Sequence, residues 1–437
     1  MRIKDNYRII RGWIRSIFFV ICLMWFTGNV SEVHAQDYML REATGDLEAL
    51  VGIEVSDEQA DEWIAEEKSQ DSQDARAGEQ YPFLEYGSDY GYQDMVKREH
   101  GEQRQALYRK LQEECREFTV DGSDASTVTV GADQYAKAFT VNLSELGLTD
   151  LTGYEKTEVY FTFRNDNPQY FWLANSVLYS SNTLEIVTYD EYADGDIRRN
   201  TLDEIVNTAE TVYQSGISDQ DHIYNKVLYI HDTLIEDIEY SEDTTIPISH
   251  SIAGAMTASR SAVCEGYAKV MQVMMNSYDI ENIYVTGYAG GGHAWNMVGM
   301  DDGKYYWLDA TWDDQPYEQL QHDYFLVGNE NFTDHIPDSP DSSGANFLYE
   351  LPEASDTDYV YDSSSGGTGD VERLKGDING DGHINLVDLM KCLNHVGRKE
   401  LLETEPLKAA DINGDGIVNL VDLMRLLNYV GRKSSVL

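Results

Sequence analysis

The 437-residue chain is short of positive charge, with 32 Lys and Arg against 78 Asp and Glu and a formal charge of −46. So acidic a surface repels phosphate backbones and anionic headgroups, which argues against nucleic acid and anionic membrane as partners. Cysteine is scarce as well. Cys22, Cys115, Cys264 and Cys392 are widely separated, which excludes a disulfide framework or a zinc ribbon of closely spaced thiols. Long apolar runs are lacking too. The stretch Ile17–Phe26 (IFFVICLMWF) is too short to span a bilayer, and no later segment is apolar enough to try. It follows Arg2, Lys4, Arg8, Arg11 and Arg15 and precedes a small-residue cleavage site at Val33-His34-Ala35, which predicts a signal peptide over 1–35 and a secreted protein. Its removal takes away Cys22 and a charge of +3, leaving a mature chain near −49. Three cysteines then remain, so at least one free thiol survives outside the cell. Finally, the many acids nominate no particular carboxylate pair, which leaves a glycoside hydrolase without a candidate site.

What the chain does have is a repeat. Asp377–Lys399 (DINGDGHINLVDLMKCLNHVGRK) and Asp411–Lys433 (DINGDGIVNLVDLMRLLNYVGRK) are identical at 18 of 23 positions. Within each copy, oxygen-bearing side chains recur at the spacing of an EF-hand loop, with a glycine for the sharp turn. The first loop offers Asp377, Asn379, Asp381, His383, Asn385 and Asp388; the second offers Asp411, Asn413, Asp415, Ile417, Asn419 and Asp422. His383 and Ile417 hold the position that ligates through its carbonyl. Aspartate replaces the usual glutamate at the last position, so closure there needs a closer approach. An apolar helical pattern follows each loop, and none precedes the first. A loop–helix half-motif repeated in this way resembles the type I dockerin, over about 372–437. The resemblance implies two calcium ions, a small all-α fold and docking onto a cohesin domain of a cellulosome scaffoldin. Dockerins often read their partner through Ser/Thr after the ninth loop position; this chain has Leu386-Val387 and Leu420-Val421 there.

Between the termini, residues 36–80 read as an acidic leader that composition leaves free to be disordered. Residues 88–118 carry a helical pattern, 127–142 and 157–189 alternate like strands, and 202–213, 221–238 and 264–277 are amphipathic. Residues 283–312 return to strand character, and 351–371, rich in Ser, Gly and Asp, read as a linker. The expectation is one α+β domain over 81–350. Thirty tyrosines suit a secreted protein associated with polysaccharide.

The surviving thiol of interest is Cys264. It opens a helix whose apolar face carries Ala268, Val270, Met271, Met274 and Met275. In a first turn, unsatisfied amides and the helix dipole favour thiolate. His293 follows Gly290-Gly291-Gly292 at the head of one strand, and Asp309 lies in Tyr305–Trp312, read as the next. Thiol, imidazole and carboxylate are the parts of a nucleophile, its base and the group that orients the base. The connecting turn decides whether they meet. A two-residue turn at Asp302-Gly303 pairs residues whose numbers sum to 605 and puts His293 and Asp309 on opposite faces. A three-residue turn, 301–303, with Gly303 left-handed, makes the sum 604 and puts both on one face.

The runs Ser261–Ala268 (SAVCEGYA), Gly292–Asn296 (GHAWN) and Trp307–Asp313 (WLDATWD) resemble the transglutaminase-like superfamily, firmly over 220–315. That resemblance implies an α+β, papain-like cysteine-enzyme core built on an antiparallel sheet. It also implies Cys264 as nucleophile, His293 as general base and acid, and Asp309 as orienter, with no cofactor for the thiol chemistry. The 29-residue interval from Cys264 to His293 is far shorter than in papain itself. Such a site attacks an amide carbonyl and forms a thioester; water then gives hydrolysis and an amine gives cross-linking. Water is abundant outside the cell, so a cysteine peptidase or amidase is expected first and acyl transfer second. The contrasting expectation is a non-catalytic module of this fold, carried on a dockerin. Cys115 and Cys392 read as structural.

Overall fold

The computed structural model describes residues 38–41, 45–67, 81–219, 221–315, 320–338, 349–361 and most of 375–430. The predicted signal peptide, 1–35, lies outside the described residues. None of the described helices is long and apolar enough to cross a membrane.

The architecture is α+β. Strands β1 (Tyr38–Arg41), β2 (Leu50–Glu54), β3 (Ser126–Val130), β4 (Asp133–Asn142), β5 (Leu173–Tyr179) and β6 (Thr183–Thr188) form a six-stranded sheet, ordered β1-β2-β5-β6-β4-β3. Only the β2–β5 pair in it is parallel. Strands β7 (Glu239–Tyr240) and β8 (Ser261–Ala262) make a short parallel ladder. Strands β9 (Asn282–Tyr288), β10 (Gly292–Gly299), β11 (Tyr305–Leu308) and β12 (Ile336–Pro337) form an antiparallel sheet ordered β11-β10-β9-β12. The Cys264–Asn276 helix packs on β9 and β10. One continuous core joins the two larger sheets, with Trp172, Tyr160, Phe161, Trp295 and Leu308 among its fully enclosed side chains. Burying each such side chain contributes roughly 1.5–3 kcal/mol relative to exposure.

Three stretches depart from the sequence reading. Residues 157–166, expected as strand, belong to the helix Gly153–Asp166, which starts with a Thr152–Glu155 capping box. Every residue from Glu155 to Asp166 is buried, so the helix has no polar face and shows no amphipathic period. Its charged side chains are paired inside: Arg104 with both Glu155 and Glu158, and Arg164 with Glu48. Residues 45–67, expected as part of a disordered leader, are built into the domain. Strand β2 runs beside β5, and Leu50, Ile53, Val55, Ala60 and Trp63 enter the core. They are too few for a core of their own, yet they complete one that already exists. Residues 351–361, expected as linker, also pack on the domain. Ser355 N–H donates to the Tyr305 carbonyl (2.8 Å), and the Tyr361 ring stacks 4.5 Å from Tyr224. The rest of the predicted linker lies outside the described residues.

Near the C-terminus, helices Leu386–Val396, Thr404–Ala410 and Leu420–Val430 gather around Ile378, Leu389, Cys392, Ala410, Ile412, Leu423 and Leu426. Cys392 fills a position held by Leu426 in the second repeat; both are fully buried, which explains a thiol among leucines.

Candidate functional site

The turn between β10 and β11 takes the three-residue form. Asn296 pairs with Leu308, Met297 with Trp307, Val298 with Tyr306 and Gly299 with Tyr305, all in the 604 register. Gly303 has φ +77°, which a residue with a side chain would adopt only at a cost. His293 and Asp309 therefore meet, with His293 Nε2 2.8 Å from Asp309 Oδ2. An ionised carboxylate only accepts, so Nε2 carries the hydrogen and Nδ1 is the nitrogen with a lone pair for an incoming proton.

Strand β11 stops at Leu308, short of the expected Trp312. Asp309 instead caps the helical turn Ala310–Asp313, its Oδ1 accepting from Thr311 N–H (3.0 Å) and Trp312 N–H (3.2 Å). One carboxylate thus serves as helix cap through one oxygen and as histidine partner through the other. Burial alone would raise the Asp309 carboxyl. Electrostatic attraction to the His293 and His335 rings and the hydrogen bonds from them more than offset this and hold it well below the usual carboxylate range.

His335 is a member of the cluster that the sequence did not reveal. Its Nε2 lies 3.0 Å from the same Asp309 Oδ2, and its Nδ1 lies 2.9 Å from Asp334 Oδ1. The side chain is fully buried against Trp312, Phe332 and Trp295. Strand β12, which starts one residue later and pairs Ile336 with Tyr288, holds it in place. The only local signal is a histidine three residues after Phe332 and 26 positions after Asp309. Its edge pairing is a long-range event.

Cys264 is the first residue of its helix, and it packs with Leu47, Ala268, Tyr284 and Ala294 in one apolar cluster. Ala294 adjoins His293, so the thiol and the imidazole are carried by facing elements. The thiol is wholly buried. Burial pushes it well above its ordinary value, and the Asp46 and Glu265 charges add to this, while a hydrogen bond from the Ala294 backbone works against them. At this position the helix terminus favours thiolate while burial opposes it. Behind Cys264, Glu265 accepts from Tyr284 OH (2.9 Å) and Glu48 N–H (3.1 Å) and lies 2.7 Å from His250 Nδ1. Two further groups of metal-ligating type, His231–Asp232–His322 and Glu48–His250–Glu265, include close histidine–carboxylate pairs. Cys115 is buried, and desolvation pushes its thiol up.

In the first repeat loop, Asp377, Asn379, Asp381, His383 and Asn385 lie outside the described residues. Asp388 is fully buried and accepts from Ile378 N–H (2.7 Å). In the second loop Asp415 lies outside them. Asp411 Oδ1 accepts from Gly414 N–H (3.0 Å) and its Oδ2 from Gly416 N–H (2.9 Å). Asp422, also fully buried, accepts from Asn413 N–H (3.1 Å) and Asn419 N–H (3.0 Å). Asn419 holds its side chain against the Ile417 carbonyl, 3.0 Å away. The loop is folded around its own hard-oxygen donors, with carboxylates sequestered at the closing position, and that donor chemistry suits calcium.

Residues 210–310 match the family model of the transglutaminase-like superfamily, and residues 375–431 match that of the dockerin type I domain. No curated protein matches the chain. Among solved structures, one named "Crystal structure of a TGase" aligns at 14% identity with a TM-score of 0.25, covering 32% of this chain and 44% of its own. Another, named "Putative Cysteine Protease from Cytophaga hutchinsonii", aligns at 20% identity with a TM-score of 0.23, covering 36% of this chain and 55% of its own. The chain thus spans about half the length of the solved structures it matches. This protein carries a transglutaminase-like core domain and a C-terminal type I dockerin, a calcium-binding module.

Proposed function

We propose that the protein is a thiol enzyme acting on peptide or amide bonds, with Cys264 as nucleophile, His293 as base and acid, and Asp309 as the group that orients His293. The observation that carries this reading is the 2.8 Å His293–Asp309 bond, made through Nε2 so that Nδ1 is left for the thiol proton. Thiolate attack on an amide carbonyl forms the S–C bond; His293 returns its proton to the leaving nitrogen, and a thioester remains. The Cys264 backbone N–H, at the start of its helix, is suited to receive the developing oxyanion. Hydrolysis of the thioester by water gives a cysteine peptidase or amidase, and capture by an amine gives acyl transfer; hydrolysis is the primary reading.

A non-catalytic module would draw on the complete burial of Cys264. That burial comes in part from Asp46 and Leu47, within a segment that lies across the thiol. The dockerin implies a cohesin partner. We take the two loops, Asp377–Asp388 and Asp411–Asp422, to bind one calcium ion each, and the protein to be secreted after loss of residues 1–35 and held in a cellulosome-type complex. Replacing Cys264 by Ala, with folding checked by circular dichroism, should abolish both peptide cleavage and amine incorporation. Equal activity in the two proteins would sink the proposal.

A further inference from the structure

The nucleophile is covered by the chain itself. Asp46 N–H donates to the carbonyl of Gly292, the residue before the candidate base, at 3.1 Å. The Asp46 carbonyl is the acceptor that faces the Cys264 thiol, 3.8 Å from Sγ. Leu47 is buried and closes over Cys264 and Ala294. Tyr240 OH donates to Asp46 Oδ2 at 2.6 Å. Tyr240 pairs with Ala262 across the β7–β8 ladder, which fixes it two residues from the nucleophile's helix. Downstream, Glu48 anchors the segment through Arg164 (2.7 Å), Tyr189 (2.7 Å) and its own N–H to Glu265 (3.1 Å). Upstream, Gly45 has φ +59° and lies so close to Gly291 and Gly292 that a Cβ would stand 2.5 Å from Gly292 N. That contact gives the Gly290–Gly292 run a purpose: it lets a second backbone lie against the strand that carries His293.

A backbone that donates to the residue before the base and turns its carbonyl toward the thiol holds the position of an acyl donor. We propose that Gly45–Glu48 is an intramolecular occupant of the cleft, seated as a substrate would be, and that the cleft accepts extended peptides with aspartate as the residue whose carbonyl is attacked, read by Tyr240. This rests on Cys264 being the nucleophile. In the reaction, the Cys264 sulfur bonds to the aspartyl carbonyl carbon and the C–N bond to the next residue breaks, with the thiol proton passing through His293 to the leaving amine. Water then adds to the thioester carbon, one of its protons returning through His293 to the sulfur as the S–C bond breaks. The products are a C-terminal aspartate and a new N-terminus. In the resting arrangement the segment lies across the thiol, so the occupant restrains access to the nucleophile it covers.

The test uses the full chain, iodoacetamide and two peptides that copy residues 45–48, acetyl-Gly-Asp-Leu-Glu-amide and its Asn counterpart. Alkylation of Cys264, followed by mass spectrometry with Cys115 and Cys392 as internal references, should be at least about fivefold faster in Asp46→Ala than in the parent. In the Asp46→Ala protein, the Asp peptide should protect Cys264 at concentrations roughly tenfold lower than the Asn peptide, and adding Tyr240→Phe should make the two equal. Unchanged alkylation in Asp46→Ala overturns the occupancy, and equal protection by the two peptides overturns the aspartate preference. The two readings fail separately. Selective protection without cleavage of the Asp peptide defeats the enzyme reading and supports the occupancy. Equal cleavage of both peptides supports the enzyme and defeats this inference.

Discussion

Gly45→Ala is a local perturbation of the covering segment whose size follows from the backbone. Gly45 sits at φ +59°, where a residue with a Cβ costs roughly 1–2 kcal/mol. The added carbon would also stand 2.5 Å from Gly292 N and 2.7 Å from Gly292 O, both backbone atoms that cannot swing aside. The cost falls on the closed arrangement alone, because an open segment is free to choose another φ. A 1–2 kcal/mol bias raises the fraction of molecules with the segment lifted by about 5- to 30-fold, and the clash adds to it. If the segment opens and closes faster than the thiol reacts, the iodoacetamide rate at Cys264 follows that fraction directly. The assay is the time course of Cys264 alkylation in parent and variant, with the circular-dichroism melt as control for the fold. An unchanged rate with an unchanged melt would refute the claim that Gly45–Glu48 governs access to the thiol. A rate that rises equally at Cys115 would point to general loosening instead.

The remaining predictions concern the candidate triad, its support and the dockerin. His335→Leu removes one hydrogen bond to the Asp309 carboxylate, of the charge-assisted class worth about 1.5–3 kcal/mol. Turnover should fall roughly tenfold at unchanged KM, with the pH–rate profile displaced, whereas a merely structural role would lower stability and leave the profile of the folded fraction alone. For His231, burial lowers the imidazole pKa, but hydrogen bonds to Asp232 and Asp313 outweigh it and raise the value to about 9. The imidazole titrates near 6.5 unfolded, so this contribution is complete below about pH 6.5 and is lost as pH rises through about 9. The melting temperature should therefore decline across that window more steeply in the parent than in His231→Asn; parallel declines would exclude His231 as the cause. Calcium removal by chelation should cost helical signal and abolish cohesin capture while the Cys264 alkylation rate stays the same, since the loop donors and the thiol belong to separate cores. Asp422→Ala, which removes a buried closing carboxylate, should weaken calcium binding at least tenfold by titration calorimetry.

Much of the candidate site was readable because its determinants are local. The repeat announces its module through a loop and an apolar helix in each copy. The Cys264 helix shows its apolar face in sequence, and the Asp301–Gly303 turn fixes its register through one glycine. The Gly153–Asp166 helix was not readable, because burial on every side removes the polar–apolar alternation that marks a helix. Nor was the fate of residues 45–67, where a low apolar content suggests disorder only if the segment must supply its own core.

By itself, then, the sequence determined the two modules, the repeated acidic loop with its following helix, and the thiol, imidazole and carboxylate with the turn that lets two of them meet. Each of these depends on spacing along a few neighbouring residues. Tertiary structure alone decided that His335 joins Asp309, that Cys264 is wholly buried, and that Asp46 and Leu47 lie across the thiol. Those contacts bring Asp309 and His335 together across 26 residues, and Asp46 and Cys264 across 218. No local pattern encodes such a meeting. It exists only once β2 and β12 have found their places at β5 and β9.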